Sequence, residues 1–185
     1  MENFKLENKE ETNMKMINLI NPENASEEEV KNFKVREAAR AVIVNEDGKI
    51  AILNVVNEGY YKLPGGGLEE GEDKLIALQR ECQEEIGSDI EVLNEVGFIV
   101  EYRKMSSLKH TSFCYLAKAK GDQSLLNLTE EEKERGSKLE WMSYAEALRS
   151  VKESKPAAFV CSAYIVPRDL AFLEESKVYL DSMDK

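Results

Sequence analysis

The sequence predicts an α+β (α/β) fold, a sandwich of β-strands and α-helices. Three observations lead to this prediction. Short β-branched and apolar runs recur along the chain, Gly and Pro clusters separate them, and capped segments with helical spacing lie between and after them. Such interspersed strands and helices are typical of layered α+β or α/β domains. The length of 185 residues fits one domain of ordinary size.

The predicted strands are short apolar runs bounded by turn residues. The first begins near Ala38, and the Asn-Glu-Asp-Gly run that follows at residues 45–48 is a strong hairpin signal. The Pro-Gly-Gly-Gly run at residues 64–67 is predicted to break regular structure. The other predicted strands cover residues 50–56, 60–63, 91–102, 111–119 and 139–142.

The predicted helices begin at capping residues. The clearest helix covers residues 74–86, and Gly87 is placed to end it in the left-handed conformation. A Ser or Thr followed three residues later by Glu marks a helix start, and Pro favours the first turn. Further helical segments are therefore predicted after Ser26 with Glu29, after Thr129 with Glu132 up to Gly136, after Ser143 with Glu146 to about residue 152, and around Pro167.

The net charge restricts the partners of the chain. With 25 Lys and Arg against 36 Asp and Glu, the charge is −11, which disfavours a nucleic-acid polymer because such partners need a basic face. An enzyme acting on phosphates must then bring cations to its site, as side chains or as metal ions. The longest apolar run, residues 159–166, is too short to span a membrane, so no membrane partner is expected.

The cysteines and the N-terminal residues favour a cytoplasmic location. Cys82, Cys114 and Cys161 lie far apart and form no C-x-x-C pair, so we predict buried reduced thiols in a reducing compartment. The first residues lack the basic start and apolar stretch of a secretory signal peptide. We therefore expect the chain in the cytoplasm.

Three glutamates of the predicted helix share one arc. At about 100° per residue, Glu81, Glu84 and Glu85 fall within an arc roughly 100° wide. Glu81 and Glu85 form an i,i+4 pair of like charges, which costs a few tenths of a kcal/mol, and no Lys or Arg follows at i+4 to relieve it. The adjacent apolar stripe, which we expect to pack on the sheet, consists of Leu75, Leu78, Cys82 and Ile86.

The loop before this helix changes how the acidic arc is interpreted. A glutamate-rich helix face is, taken alone, usually a solvated surface. Here residues 63–67 can fold back on the arc, and glycine allows a close approach of the backbone. Carboxylates with a backbone carbonyl form an all-oxygen ligand set that suits Mg²⁺ or Mn²⁺, whereas zinc prefers His and Cys. The only histidine, His110, cannot build a zinc site by itself.

The segment from Gly66 to Gly87 resembles the Nudix box of MutT-like hydrolases. Gly66 is followed after five residues by Glu72 and after seven more by Arg-Glu-Cys-Gln-Glu-Glu-Ile-Gly at residues 80–87. All seven fixed positions match. At a frequency of roughly 0.1 for each, seven matches would occur about once in 10⁷ windows. One departure is Ser88, where the family prefers an aliphatic residue.

This resemblance implies a Nudix fold, which is a mixed β-sheet sandwiched between α-helices. It also implies a hydrolase that cleaves the diphosphate bond of a nucleoside diphosphate linked to a group X. It implies that Glu81, Glu84 and Glu85 bind the metal ion and act in catalysis, with the Gly65 carbonyl as a further ligand. The supporting residues that it implies are Gly66, Glu72, Arg80 and Gly87. It implies a Nudix hydrolase domain over residues 36–155, between an N-terminal extension (1–35) and a C-terminal helical segment packed on the same domain (156–185).

The base that activates water is left open by the resemblance. In some relatives it is the first glutamate of the motif, here Glu81, and in others it comes from a later loop. The acidic run at residues 130–136 resembles that loop, where Glu134 is our first choice and Glu131 our second. The alternative is that these acids merely suit a helix N-terminus.

Two residues after the box are predicted to contact the substrate. Tyr102 lies where some relatives place an aromatic residue on the substrate base, and Arg103 is able to meet phosphates. Packing is the alternative for Tyr102, and a solvated strand end is the alternative for Arg103.

The prediction for function is a magnesium-dependent nucleotide diphosphatase, with small nucleoside triphosphates as the first substrates to try. An ADP-ribose or nucleotide-sugar pyrophosphatase is the alternative. A non-catalytic nucleotide-sensing Nudix-like domain is an alternative of another class, which the presence of every motif glutamate disfavours. The expected partner is a small-molecule nucleotide, and both a monomer and a homodimer stay open.

Overall fold

Eight strands and five helices make up the part of the chain that the computed structural model describes, residues 13–120 and 128–183. The strands are β1 Met16–Ile20, β2 Lys34–Val44, β3 Ile50–Val55, β4 Tyr60–Lys62, β5 Gly65–Gly67, β6 Asp89–Arg103, β7 Leu108–Lys120 and β8 Ser137–Met142. The helices are α1 Glu27–Val30, α2 Lys74–Ile86, α3 Glu130–Glu134, α4 Tyr144–Lys152 and α5 Val166–Met183.

All eight strands join one mixed sheet. The order is β1-β6-β7-β2-β3-β4, with β5 paired to β2 and β8 paired to β3. The β1–β6 and β2–β7 pairs are parallel, and the other pairs are antiparallel. The long β2–β7 pair sets Arg36 beside His110, and β6 sets Glu101 on the other side of that histidine.

Helices cover both faces of the sheet, which confirms the predicted sandwich. On one face, α2 buries Leu78, Cys82 and Ile86 against apolar residues of β2, β3 and β7. On the other face, α4 and α5 bury Val151 and Phe172 among others. Each fully buried large apolar side chain contributes roughly 1.5–3 kcal/mol, so these layers hold α2 firmly against the sheet.

The predicted bounds of α2 are confirmed. The helix begins after Asp73, whose side chain accepts hydrogen bonds from the next turn, and it ends at Gly87, whose φ is 64°. The prediction that Leu75 belongs to the buried apolar stripe was wrong, because this side chain is 50% exposed. Burial of α2 against the sheet begins only at Ala77, so the first turn has no layer to pack against.

The glycines at residues 65–67 do not break regular structure as predicted. They form β5, which pairs with residues 38–40 of β2. This pairing depends on the missing side chains, because a Cβ added to Gly65 would lie 2.2 Å from the Ala39 carbonyl oxygen. A strand of glycine therefore approaches β2 more closely than other residues allow.

Both ends of the described chain pack on the same sheet. β1 pairs in parallel with β6, although its polar surroundings gave no strand signal. At the other end, Pro167 lies in the first turn of α5 as predicted, and a π-helical turn at Cys161–Ile165 leads directly into it. The division of the chain at residues 35 and 155 stays a prediction. No helix within residues 13–120 and 128–183 is long and apolar enough to cross a membrane.

Candidate active site

The C-terminal half of α2 and the strand β5 form one side of a cavity of about 760 Å³. Glu81, Glu84 and Glu85 line it together with Gly65–Gly67. The motif glutamates and the glycine strand therefore face a common space. Because α2 is anchored on the sheet by its apolar stripe, the carboxylates beside that stripe are directed toward β5.

Arg80 ties the loop before α2 to the helix. Its Nε donates to Glu72 Oε1 at 2.9 Å, and its Nη2 donates to Glu72 Oε2 and to the Gly67 carbonyl, both at 3.1 Å. Glu72 also accepts from the Glu69 amide at 2.8 Å. The hydrogen bond from Arg80 holds the pKa of Glu72 below its usual value, so the pair stays charged.

Glu85 is the most deeply buried of the three motif glutamates, at 1% exposure. Its Oε1 accepts from Lys62 Nζ at 2.8 Å and its Oε2 accepts from the Gly65 amide at 2.6 Å. Burial raises the pKa of Glu85 to about 7, although Lys62 opposes that shift. The cation that α2 itself lacks at i+4 thus comes from β4, and no sequence signal singled out Lys62.

Arg80 is the cationic neighbour that Glu81 and Glu84 share. Arg80 Nη1 donates to Glu81 Oε1 at 2.9 Å and lies 3.7 Å from Glu84 Oε2. Burial, together with the charge of Glu81, raises the pKa of Glu84. One guanidinium therefore faces two carboxylates in addition to Glu72, and this side of the cavity keeps an excess of negative charge.

The oxygen donors fit a divalent cation by their chemistry. The possible ligands on this side of the cavity are carboxylate and backbone oxygens, and the missing side chain of Gly66 makes room for the Glu81 carboxylate. Across the described residues, no three acidic, His or Cys side chains already stand as an ion site. Arg80 donates to Glu81 and Lys62 donates to Glu85, so these two side chains compete with an ion for the carboxylates. The Gly65 carbonyl already accepts from Arg40 Nη1 at 2.6 Å.

The residues predicted outside the box are not all at the cavity. Arg103 lines it, whereas Tyr102 does not, and the Tyr102 carbonyl accepts from Tyr164 Oη at 2.8 Å. In α3, Glu131 lines the cavity, whereas Glu134 is exposed and outside its lining.

A glutamate that the sequence did not single out also lines the cavity. The carboxyl of Glu132 faces Glu85 and Lys62, and its Oε2 accepts from the Thr129 amide at 2.9 Å. The capping-box pattern predicted this contact with Thr129. It gave no indication that the same carboxyl would reach α2.

Basic residues form the opposite side of the cavity. We call the group of Arg36, Arg40, Arg103, Arg168 and His110 the arginine recess. Arg36 and Arg40 lie four residues apart on β2. Because side chains alternate between the two faces of a strand, the sequence could have predicted that both arginines lie on the same face. Nothing in the sequence indicated that Arg168 would join them, because α5 reaches the recess only through its packing on the sheet.

A profile of the NUDIX domain matches residues 34–162. The chain belongs to the NUDIX domain family. An RNA pyrophosphohydrolase of Pelagibacter ubique is 28% identical over 80 residues, which are 42% of this chain and 51% of that protein. One of Helicobacter pylori is 39% identical over 59 residues, which are 31% of this chain and 38% of that protein. The chain thus matches about half the length of these curated relatives or less.

Solved Nudix structures share the fold of this Nudix domain. A NUDIX hydrolase from Nitrosomonas europaea has a TM-score of 0.61 at 19% identity, covering 79% of this chain and 90% of that one. A MutT protein from Methanosarcina mazei has a TM-score of 0.53 at 18% identity, covering 83% and 97%. These likenesses show the fold alone.

Gly66→Ala is expected to displace Glu81 in this Nudix domain while keeping the fold. The added Cβ would lie 2.2 Å from Glu81 Oε1, at the movable end of a side chain, and Gly66 has no positive φ to strain. We expect Mg²⁺ affinity and turnover to fall by about tenfold or more, as for other lost ligand-orienting contacts. Isothermal titration with Mg²⁺ measures the loss of affinity, and urea unfolding measures whether the fold is kept. Gly48→Ala, in the distant hairpin with nothing within 4 Å of the added Cβ, is the control for Mg²⁺ affinity. Its φ of +70° adds the cost of a left-handed conformation to its unfolding, so it is not a control for stability. Unchanged Mg²⁺ affinity in Gly66→Ala would contradict the prediction.

Acidification is expected to destabilise the Nudix domain through His110. Burial, followed by the neighbouring Arg168 and Arg40, lowers the pKa of His110 from 6.5 to about 2. Between these values the unfolded chain binds a proton that the folded protein does not, so the free energy of unfolding falls as the pH falls. The contribution is full above pH 6.5 and is lost by about 1.4 kcal/mol per pH unit below it.

Urea unfolding over the range from about pH 7 to pH 5 measures this contribution. His110 is the only histidine of the chain, so His110→Gln removes it without other imidazoles interfering. Glu85, whose raised pKa of about 7 gives a contribution of the opposite sign over this range, is present in both proteins and cancels in their difference. We expect the free energy of unfolding of the wild type relative to that of the variant to fall as the pH falls from about 7 to about 5. Equal slopes in the two proteins would refute the prediction.

Proposed function

We propose that this Nudix domain is a Mg²⁺-dependent hydrolase that cleaves the diphosphate bond of a nucleoside diphosphate linked to a group X. Small nucleoside triphosphates are the leading substrate class, and Mn²⁺ is the alternative ion. One observation carries the proposal. The motif glutamates and the arginine recess line the same cavity, so a cation site and phosphate-binding side chains face a common space.

Glu81, Glu84 and Glu85 would hold the ion, with the Gly65 carbonyl as a further ligand. The bound ion supplies positive charge for the phosphoryl oxygens and the leaving group. The other residues have positioning roles. Arg80 and Glu72 hold the loop against α2, and Lys62 with the Gly65 amide fixes both oxygens of Glu85.

For the base that activates water, we propose Glu132, because its carboxyl lines the cavity and faces Glu85. Glu81 and Glu131 are alternatives that also line the cavity, and Glu134 requires α3 to move. A base variant and a ligand variant differ in their pH dependence. Glutamine at the base removes the acidic limb of the kcat profile, whereas glutamine at an ion ligand lowers kcat at every pH.

A phosphate-release screen of the full chain with Mg²⁺ tests the proposal. The panel holds nucleoside triphosphates, ADP-ribose and other nucleotide sugars, dinucleoside polyphosphates and a 5′-triphosphorylated oligonucleotide. The last is included because curated relatives are named RNA pyrophosphohydrolase, although the net charge of −11 disfavours a polymer. We expect turnover of a small nucleotide that EDTA abolishes and Mg²⁺ restores. Nucleotide binding without turnover of any substrate would instead support the sensing alternative.

A further inference from the structure

The arginine recess lies between the sheet and α5. Arg36, His110 and Glu101 are neighbours across β2, β7 and β6. Arg168 reaches over them from α5, with its Nη1 at 3.4 Å from Glu101 Oε1. Arg103 pairs with the same carboxylate, its Nε donating to Glu101 Oε2 at 2.7 Å. Guanidinium groups therefore converge from three separate elements.

Positive charge exceeds negative charge in this recess. Four arginines line it, and among the residues that the structure describes the two carboxylates in ion pairs with them are Glu101 and Asp169, both fully buried. Asp169 also accepts from the Leu63 amide at 3.0 Å. Buried charges without counter-charges cost several kcal/mol, and the chain as a whole carries −11. The excess of two positive charges is therefore a local feature that the composition does not explain.

Several polar atoms of the recess lack hydrogen-bond partners within the described part of the chain. They are Arg40 Nε, Arg168 Nη2 and both ring nitrogens of His110. Arg168 is 1% exposed and His110 is 4% exposed, yet both line the cavity. An unsatisfied buried polar group costs about 1–3 kcal/mol. The residues that carry these atoms line the cavity, so their unsatisfied N–H groups favour an anionic ligand there.

We propose that the arginine recess binds a phosphate group of the substrate beyond the two that flank the cleaved bond. A tetrahedral phosphate accepts hydrogen bonds from several directions, which suits arginines from β2, β6 and α5 better than a planar carboxylate does. The substrate is then a nucleoside triphosphate or a nucleotide with a phosphorylated X, and not a nucleotide sugar with an uncharged X. This inference rests on the proposed function.

Gly65 joins the two sides of the cavity. Its amide donates to Glu85 Oε2 and its carbonyl accepts from Arg40 Nη1, both at 2.6 Å. The glutamates and the recess are therefore separated by a single residue of β5. A chain of phosphates is able to extend from one side to the other, with the recess holding its end.

Inorganic phosphate tests the recess without any catalysis. The ring nitrogen resonances of His110, the only histidine, are followed by NMR in the full chain with EDTA while phosphate is added at constant ionic strength. We expect a saturable shift with phosphate and none with chloride or acetate. Arg36→Gln, at an exposed position, is expected to weaken phosphate binding about tenfold. Arg149→Gln, also exposed but on α4, is the matched control and keeps wild-type binding.

A kinetic measurement connects the recess to the substrate. With Mg²⁺, we expect Arg36→Gln to lower the ratio of kcat/KM for a triphosphate over that for a nucleotide sugar by about tenfold. A phosphate-dependent shift of His110 with no hydrolysis of any nucleotide would support the recess and reject the proposed function. No saturable shift, an equal shift with acetate, or equal weakening by Arg149→Gln would overturn the recess, while turnover in the screen would still support the proposed function.

Discussion

Replacing Glu84 by glutamine is expected to lower kcat at least about 100-fold, or about 2.7 kcal/mol in barrier height, with the fold intact. The substitution removes one negative oxygen from the group proposed to hold Mg²⁺ and keeps the side-chain volume and helix propensity. Glu84 has Arg80 as a distant cationic neighbour at 3.7 Å, so its loss leaves no buried charge unpaired. Removing its repulsion with Glu81 should leave the thermal midpoint unchanged or slightly raised.

Steady-state kinetics at saturating Mg²⁺ measures kcat, and thermal unfolding of the same preparations measures the midpoint. Glu174→Gln is the matched control, because Glu174 is an exposed helical glutamate on α5 and is outside the cavity. Wild-type kcat in Glu84→Gln would reject the metal site. A large loss of stability in that variant would instead show that Glu84 has a structural role.

Gly65→Ala is expected to cause the largest loss of stability of any glycine substitution in the cavity, at least about 3 kcal/mol. The new Cβ would lie 2.2 Å from the Ala39 carbonyl oxygen and 2.7 Å from the Arg40 Cα, and φ is +119°. Both neighbours are backbone atoms of β2, which is held on its other side by β7 and cannot turn away. Separation of β5 from β2 would relieve the clash and would also remove the Gly65 amide from Glu85.

The midpoint of urea unfolding measures this loss. Gly71→Ala is the control, because φ is +84° there and nothing lies within 4 Å of the added Cβ. That variant carries only the cost of a left-handed conformation, about 1–2 kcal/mol. Equal midpoints for Gly65→Ala and Gly71→Ala would contradict the argument that the clash with β2 dominates.

Local chemistry was sufficient to predict α2 and its neighbours. Asp73 caps the helix and Gly87 ends it, and both act through atoms within a few residues of themselves. The capping boxes at Ser26, Thr129 and Ser143 are confirmed for the same reason. These features need no information about distant parts of the chain, so their residue types identify them directly.

Features that depend on distant strands were predicted less well. Residues 16–20 form β1 because the edge of β6 offers backbone partners, and a short apolar run inside a polar stretch does not predict that pairing. Leu75 has the spacing of a buried residue, yet burial of α2 begins only at Ala77. The glycines of β5 looked like a break, because their role is to approach β2, and that approach is visible only when both strands are placed.

The segment from Gly66 to Gly87 by itself determined the family, the three-glutamate arc and the helix that carries it, because one helical turn brings those glutamates together. Only the tertiary structure decided what faces that arc. Lys62 meets Glu85 from β4, and Arg40 and Arg168 come from strand and helix positions far along the chain. Charge compensation of buried groups acts through space, so sequence spacing predicts one side of the cavity and packing provides the other.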